Sequence, residues 1–252
     1  MTTVIFRNAS YDDGRLESVI FDMMDAAGGR EISAGCRALI KPNLLISALP
    51  QTAVTTHPLV VRSIARYALE RGARVQISDS PAAGSFKRLL KEGGYESALK
   101  GLPLDVKPFR ETMLLNIGEP FGRIPVARDA VSCDFLINAA KLKTHSQMSM
   151  TLGVKNTFGC IVGLKKPEWH LRTGVDRDMF ARLLVQLHAA LNVKITLIDG
   201  ILAMEGQGPG KSGTPRKLGL IAASSSAFAA DEAVCRLLGI DPEKIPICRA
   251  AR

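Results

Sequence analysis

The chain has 252 residues, of which 46% are hydrophobic, so it is neither a disordered chain nor too short to bury a core. This length suits one large α/β domain or two small ones. The formal net charge of +9 favours anionic partners. Because the basic residues are scattered and no run of aromatic residues accompanies them, we rank a small anion above nucleic acid.

The five cysteines lie far apart and form no CxxC pair, so this chain contains no framework for an iron–sulfur cluster or a zinc site. Scattered single cysteines are typical of buried thiols in a reducing compartment. No apolar run approaches the ~18 residues of a membrane span, and the charged start of the chain is unlike a signal peptide. We therefore expect a cytoplasmic protein with no membrane partner.

The opening of the chain predicts a strand followed by a helix. Residues 3–6 are rich in strand formers. Asp12 or Asp13 would cap a helix whose apolar residues recur at helical spacing and which ends at Gly28.

The next predicted strand, residues 38–46, carries a break that exposes polar groups. Pro42 cannot donate a hydrogen bond to a neighbouring strand, so the strand should break there or lie at an edge. Lys41 and Asn43 flank the break and are therefore available to a ligand.

A helix and a strand follow in the order of a parallel crossover. His57 and Pro58 are typical of a helix start. Residues 74–77 predict a strand that stops just before Asp79 and Ser80. A right-handed strand–helix–strand unit places these two side chains at the carboxyl end of the sheet, where α/β proteins bind ligands.

The pattern changes from residue 102 to residue 126, where short β-like pieces alternate with proline and glycine. We interpret this part as a small β-rich insertion, with residues 102–130 as a candidate subdomain of a single domain spanning 1–252. The fold prediction is an α/β protein with a mixed, mainly parallel sheet flanked by helices.

The apolar strand of residues 135–140 leads into the most cationic part of the chain. If the strand continues, Lys141, Lys143 and His145 share one face, because strand side chains alternate with period two. Such a cluster binds a dianion, and like-charge repulsion lowers the pKa values of its members, which suits a general base. A solvated basic edge is the alternative.

Lys155 and Asn156 come next, in a predicted helix of residues 150–158, and residues 159–170 predict a loop that ends at His170. The glycines beside this pair permit a close approach of the backbone to a ligand. The alternative is that these glycines only flank an ordinary helix.

The last third of the chain predicts a strong amphipathic helix over residues 180–191 and a strand ending at Asp199. Residues 202–214 predict a glycine-rich loop, with Glu205, Gly206 and Gly208 closing over a ligand. The loop is not a Walker motif, because its first required glycine is replaced by Glu205. Asp199 and Glu205 are candidate acids, bases or metal ligands, or else caps of turns.

The histidines give only weak evidence for a metal. His57, His145 and His170 all fall in predicted loops or helix starts, and with Asp79 or Asp199 they could bind a metal. No close-spaced pair of ligands supports this hypothesis. His188 lies beside an apolar stripe and is interpreted as structural.

Several motifs together resemble a known family. They are KPNLL (41–45), TTHP (55–58), SDSP (78–81), NAAKLKTH (138–145), TLGVKNTFG (151–159) and DGILAMEGQGPG (199–210). In this order, from about residue 41 to residue 239, the chain resembles the domain-of-unknown-function 362 family.

The resemblance implies partners and cofactors. Many members of the family look like fusions with a ferredoxin-type cluster domain, which suggests a redox partner protein. The family is also distantly similar to the lactate racemase family, whose members use a nickel–pincer nucleotide held by histidines and a lysine. By that analogy His57, His145, Lys155 and His170 would bind a metal or nucleotide-derived cofactor, or transfer a proton.

The sequence thus favours an enzyme acting on a small carboxylated or phosphorylated molecule. Lysines would hold the anion, and His145 or His170 would move a proton, with Lys143 and Asp199 as further catalytic candidates. The predicted ligand-binding residues are Lys41, Asn43, His57, Asp79, Ser80, Lys141, Lys155, Asn156, Glu205, Gly206 and Gly208. A non-catalytic cofactor-binding or redox accessory protein is the alternative.

Overall fold

The structure, a computed structural model, describes residues 2–12, 14–163, 165–173 and 175–252. Its strands are β1 (Val4–Asn8), β2 (Arg37–Pro42), β3 (Arg74–Ile77), β4 (Leu104–Val106), β5 (Thr112–Asn116), β6 (Arg123–Ala127), β7 (Phe135–His145), β8 (Ser149–Thr151), β9 (Val193–Gly206) and β10 (Gly213–Ser224).

The helices alternate with these strands along much of the chain. They are α1 (Leu16–Ala26), α2 (Pro58–Glu70), α3 (Phe86–Glu92), α4 (Tyr95–Ala98), α5 (Arg128–Ser132), α6 (Gly153–Asn156), α7 (Lys165–Thr173), α8 (Arg177–Ala190), α9 (Ala227–Leu237) and α10 (Pro246–Ala250). None of those in the described ranges has the length and apolar character needed to cross a bilayer.

The main sheet has the strand order β1-β10-β9-β7-β2-β3-β4, with β8 paired to β7. Its centre is parallel, from β9 through β7, β2 and β3 to β4, whereas β1, β10 and β8 pair in antiparallel fashion. This arrangement confirms the predicted mixed, mainly parallel sheet. In the β-rich insertion, β5 and β6 form a two-stranded sheet of their own, while β4 extends the main sheet.

Helices cover both faces of the sheet because its central strands are apolar on both sides. On β7, Ile137 belongs to the core formed with α1 and α2, while its neighbour Leu136 belongs to the core formed with α8. Such double coverage buries the parallel strands and leaves their carboxyl ends as the place for polar groups.

The predicted breaks in the first half of the chain are confirmed. Strand β2 ends at Pro42, and α2 begins at Pro58 with His57 as its N-cap, whose side chain accepts a hydrogen bond from the Leu59 amide. The predicted cap of α1 is wrong for Asp12, because the helix starts at Leu16 with Arg15 at the N-cap position and no side-chain cap hydrogen bond. Asp13 lies outside the described residues.

Two segments predicted as loops are regular structure instead. Residues 202–214 belong largely to an antiparallel hairpin, in which β9 reaches Gly206 and β10 starts at Gly213. A Cβ at Gly213 would overlap with the Met204 side chain, which would have to shift. In the second segment, α7 occupies the second half of the predicted loop of residues 159–170, and Pro167 is compatible with a helix because it lies in the first turn.

The predicted helix of residues 150–158 is also corrected. Its beginning is β8, its middle is the short helix α6, and residues 157–160 form a 3-10 turn. Because α6 has only four residues, its position depends on contacts with other elements rather than on helix propensity.

Candidate functional site

A cavity of about 590 Å³ opens at the carboxyl ends of β2, β3 and β7. The sequence-predicted residues that line it are Lys41, Asn43, Asp79, Ser80, Lys143, His145, Lys155, Asn156 and His170. The predicted residues outside this lining are His57, Lys141, Asp199, Glu205, Gly206 and Gly208. The structure therefore brings together lysines from β2, β7 and α6, as expected for a ligand site at a sheet edge.

Lys41 and Asp79 form a buried ion pair in the cavity wall. Lys41 Nζ lies 2.8 Å from Asp79 Oδ1, and the two side chains are only 1% and 5% exposed. The Leu44 and Ser80 amides also donate to the carboxylate. Burial alone would raise the pKa of Asp79, but Lys41 and the nearby Lys166 bring it below its usual value. Asp79 is thus an acceptor that stays ionised.

Gly159 makes this pair possible. A Cβ at that position would overlap with the carboxylate of Asp79 and the amine of Lys41. The glycines beside Lys155 were predicted to let the backbone approach a ligand. Gly159 instead lets the backbone approach two protein side chains, and its approach to a ligand stays a prediction.

Lys143 is fully buried and donates to oxygen atoms only. Its Nζ lies 2.6 Å from the Val54 carbonyl, 3.0 Å from Asn43 Oδ1 and 3.2 Å from the Pro209 carbonyl. Burial, followed by the charges of nearby lysines, lowers its pKa well below the usual value. Three acceptors around one amine nevertheless favour the ammonium form, because only that form has three protons to donate.

Lys166 is a cavity residue that was not predicted from the sequence. It lies on α7, and its amine donates to the Ser80 carbonyl inside the cavity. Burial lowers its pKa to about 8, against the opposing effect of Asp79. The interpretation of residues 159–170 as a loop concealed it, because only a helix in this register turns Lys166 and His170 toward the same cavity.

Lys155 is the cavity lysine without a polar partner. It is 9% exposed, and no hydrogen bond or carboxylate contact reaches its amine from the residues that the structure describes. Its named neighbours are the rings of Phe158 and Phe180, whose centroids lie 5.4 Å and 5.6 Å from Nζ. Burial, then Lys166 and Lys41, lower its pKa to about 8.

His145 is held in one tautomer. Its Nδ1 accepts hydrogen bonds from the Gln147 and Met148 amides, so in the neutral ring Nε2 carries the proton. Burial, then Lys155 and Lys143, lower the pKa of this imidazole to about 2. His145 can therefore donate a hydrogen bond at neutral pH, and the geometry disfavours it as a proton acceptor.

His170 has the properties of a base. It lines the cavity from α7, packed 5.2 Å from the Phe158 ring and 4.6 Å from the Phe180 ring. No hydrogen bond in the described part of the chain occupies its ring nitrogens. Burial, then the charge of Lys155, lower its pKa to about 4, so the ring is neutral at pH 7 and has a free lone pair.

Three asparagine side chains at the cavity floor are hydrogen-bonded in series. Asn43 Nδ2 donates to Asn156 Oδ1 at 3.1 Å, and Asn156 Nδ2 donates to Asn138 Oδ1 at 2.8 Å. Asn138 in turn donates to the Gly153 carbonyl at the start of α6. Since Asn43 also accepts from Lys143, this series of hydrogen bonds fixes the lysine relative to α6.

Lys141 and Asp199 lie in a second buried network, apart from the cavity. Lys141 Nζ is 2.8 Å from Asp199 Oδ2, and Tyr11 donates to Asp199 Oδ1 at 2.7 Å. The His57 amide also donates to this carboxylate, and the His57 ring stacks on Tyr11. Burial alone would raise the pKa of Asp199, but Lys141 and these donors hold it below its usual value. The network joins β7, β9, α2 and the segment before α1.

The hairpin between β9 and β10 contacts the cavity through a residue that was not predicted. Glu205 is exposed and pairs with Arg216 on the neighbouring strand. The Gly206 carbonyl accepts a hydrogen bond from Thr144, and Gly208 packs against the Thr144 backbone. The carbonyl of Pro209, which binds Lys143, is the part of this turn that lines the cavity.

The residues implied by the lactate racemase analogy do not fit a metal bound through two histidines. His57 lies outside the cavity lining, and His145 already uses Nδ1 as an acceptor, which leaves an N–H at Nε2. Only His170 keeps free ring nitrogens among the cavity residues described. No group of three His, Cys, Asp or Glu side chains in the described ranges has metal-ligand geometry. We therefore assign no step to such a cofactor.

Comparison with known proteins supports the fold and the family. A family model described as Domain of unknown function (DUF362) matches residues 38–236. A thylakoid-associated protein of Synechocystis sp. is 36% identical over 248 residues, which cover 98% of this chain and 77% of the relative.

Two solved structures share the fold at 14% sequence identity. The lactate racemase apoprotein from Thermoanaerobacterium thermosaccharolyticum gives a TM-score of 0.53 over 93% of this chain and 56% of its own. A protein from Thermotoga maritima gives 0.52 over 90% of this chain and 58% of its own. The chain thus spans little more than half the length of either structure. With a family model that matches most of its length, this chain belongs to the DUF362 family.

Proposed function

We propose that the cavity binds a small carboxylated or phosphorylated molecule and that the protein is an enzyme acting on it. The observation that carries this proposal is the charge of the cavity lining. Among the described residues, Lys41, Lys143, Lys155 and Lys166 contribute to it but only one carboxylate, Asp79, does. Buried ammonium groups in excess of their counter-charges are costly unless an anion joins them.

The two histidines beside the lysines have different roles in the proposed reaction. His145 donates from Nε2, and His170 accepts a proton with its free lone pair. This division narrows the original hypothesis, in which either histidine moves the proton, to His170 alone. The apolar wall contributed by Phe158 and Leu45 leaves room for the organic body of the ligand.

The alternative is a non-catalytic protein that holds a nucleotide-like cofactor. A cavity of about 590 Å³ lies within the range typical of ligand pockets, so its size suits a larger anion as well. We also propose a cytoplasmic location, because Cys36 and Cys133 are half-buried free thiols that suit a reducing compartment.

Anion binding should weaken as the pH rises beyond about 8. Lys155 and Lys166 both have a pKa of about 8, and each loses its positive charge above that pH. Phosphate and succinate should therefore stabilise the protein at pH 7 and much less at pH 9.5. At pH 8, binding should take up protons, because the anion raises the pKa of each amine. Isothermal calorimetry in two buffers with different ionisation enthalpies measures this uptake.

The matched variants are Lys166→Met and Lys165→Met. Lys165 is the exposed neighbour on the same helix, so its replacement removes the same charge from the chain but not from the cavity. Only Lys166→Met should lower the affinity of the cavity for phosphate and succinate. Equal affinity at pH 7 and pH 9.5, or binding of a polynucleotide alone with a steep salt dependence, would reject the proposal.

Replacing Asp231 with asparagine should weaken the same binding indirectly. The buried carboxylate of Asp231 accepts from the Gly153 and Val154 amides, at 2.7 Å and 3.0 Å, and so fixes the start of α6. An amide accepts from only one of them and turns a donor toward the other. We expect a stability loss of about 1–3 kcal/mol and a lower phosphate affinity by calorimetry. Glu232→Gln, a change at the half-buried next residue, is the control: it breaks pairs with Arg236 and Arg252, so it should cost less than about 1 kcal/mol and leave the phosphate affinity unchanged.

A further inference from the structure

Lys155 differs from the other three lysines of the cavity. Lys41 pairs with Asp79, Lys143 has three oxygen acceptors, and Lys166 donates to the Ser80 carbonyl. The amine of Lys155 has no such partner among the described residues, although the side chain is 9% exposed and lines the cavity.

Burial and the charges of Lys166 and Lys41 make the amine of Lys155 easier to deprotonate than that of an exposed lysine. Two phenyl rings, Phe158 and Phe180, lie within 6 Å of Nζ, and their faces attract a cation. Burial and the two lysine charges act in the opposite direction and lower the pKa. With a pKa of about 8, Lys155 is unprotonated at pH 7.5 on the order of 100-fold more often than an exposed lysine. Desolvation next to another cationic group is one of the recognised ways to activate a lysine nucleophile.

The neighbouring groups complete the requirements for attack on a carbonyl. His170 packs on the same two rings as Lys155 and has a free lone pair. It can therefore move protons between the amine and the oxygen that leaves. His145 offers an N–H that can polarise the carbonyl oxygen. Lys143 and Lys166 remain to hold a carboxylate on the same ligand.

We propose that Lys155 is a nucleophile that condenses with the carbonyl carbon of a small oxo acid bound in the cavity. The Nζ lone pair forms a bond to the carbonyl carbon, and the C=O π pair moves to the oxygen, which takes up a proton. His170 relays that proton from Nζ, which gives the neutral carbinolamine. One further proton from solvent lets the hydroxyl leave as water, and the Nζ lone pair forms the C=N bond of a protonated imine on Lys155. The reaction consumes no oxidant or reductant. The inference rests on the proposed anion site and adds a ligand class and a covalent step.

Reductive trapping tests this inference on the whole protein. Glyoxylate, pyruvate and 2-oxoglutarate would each be incubated with the protein and sodium cyanoborohydride at pH 7.5. Hydride reduces the imine to a secondary amine, so the mass of the protein increases by that of the oxo acid minus one oxygen atom. At least one oxo acid should label the peptide containing Lys155 first, with the α-amino group resolved by peptide mapping.

Two variants identify the labelled amine. Lys155→Met should lose this adduct while remaining folded by circular dichroism, and Lys165→Met should be labelled like the wild type. An adduct spread evenly over exposed lysines, or none at Lys155 with any of the three acids, overturns the inference.

Propionate and glutarate separate this inference from the proposed function, because they carry the carboxylates without the carbonyl group. If they or phosphate stabilise the protein but no oxo acid labels Lys155, the covalent step is wrong and the anion site stands. If no anion stabilises the protein and no label appears, both fail.

Discussion

Lys155→Met is expected to raise the free energy of unfolding by on the order of 3 kcal/mol at pH 7. The wild-type amine has a pKa of about 8 in the folded protein and about 10.4 in an unfolded chain. The folded state therefore keeps a buried charge at a cost that the unfolded chain does not bear. Methionine has a similar length, fits beside Phe158 and Phe180, and carries no charge.

The stability difference between Lys155→Met and the wild type should depend on pH in a definite direction. Because the pKa of Lys155 is lowered on folding, wild-type stability should increase as the pH rises from about 8 to about 10.4, where the unfolded chain loses its proton as well. The advantage of the methionine variant should shrink over the same interval. Urea denaturation at pH 7 and at pH 10, followed by the fluorescence of Trp169, measures both effects, since the chain has one tryptophan and it is buried.

Lys165→Met is the control for net charge. Its amine is half-exposed and pairs with Glu168 one turn away, so its removal should change stability by less than about 1 kcal/mol. If Lys155→Met proved no more stable than the wild type, the amine would have a polar partner in solution and its burial would not be strained. A more stable variant that no longer binds phosphate would show that Lys155 is kept for function at the expense of stability.

The site residues that the sequence predicted correctly are those at the carboxyl ends of predicted strands. Apolar runs located β2, β3 and β7, and parallel strands bring their carboxyl ends to one edge. Lys41, Asp79 and Lys143 each lie at or just beyond such an end, and all three line the cavity. Their proximity needed only the strand order, which the alternation of strand and helix already favoured.

The assignment of Lys141 shows where periodicity stops being sufficient. A period of two predicted that Lys141 and Lys143 lie on one face of β7 and therefore in one site. The pairing of β7 with β9, however, shifts register between these two residues. Lys141 stands opposite Asp199 and pairs with it, whereas Lys143 reaches Asn43. A register shift depends on the partner strand, and no local pattern in β7 encodes it.

The misplaced loops have a related cause. Glycine and proline were interpreted as breaks, but Gly213 permits close packing of β10 on Met204, and Pro167 occupies the first turn of α7. Both residue types have a second use that depends on tertiary neighbours. The same error hid Lys166 on α7, whereas Pro209 lies in the part of the predicted loop that is a turn in the structure.

Asp199→Asn is expected to lower the free energy of unfolding by about 3–5 kcal/mol, the usual loss when a buried ion pair is broken from one side. Asp199 is fully buried and Lys141 is 1% exposed, so the ammonium would keep no carboxylate partner among the described residues. Asparagine preserves the size of the side chain and one acceptor for Tyr11 or the His57 amide. Urea denaturation at pH 7 measures the loss.

The double variant Lys141→Met/Asp199→Asn distinguishes a structural pair from a catalytic acid. Removing both charges should restore much of the stability lost by Asp199→Asn, because no uncompensated charge remains buried. Phosphate affinity should stay close to that of the wild type, since neither residue lines the cavity. Glu205→Gln breaks an exposed pair with Arg216 and should cost less than about 1 kcal/mol. Strictly additive losses in the double variant, or phosphate binding abolished by it, would instead place Asp199 in the ligand site, as the sequence pattern had suggested.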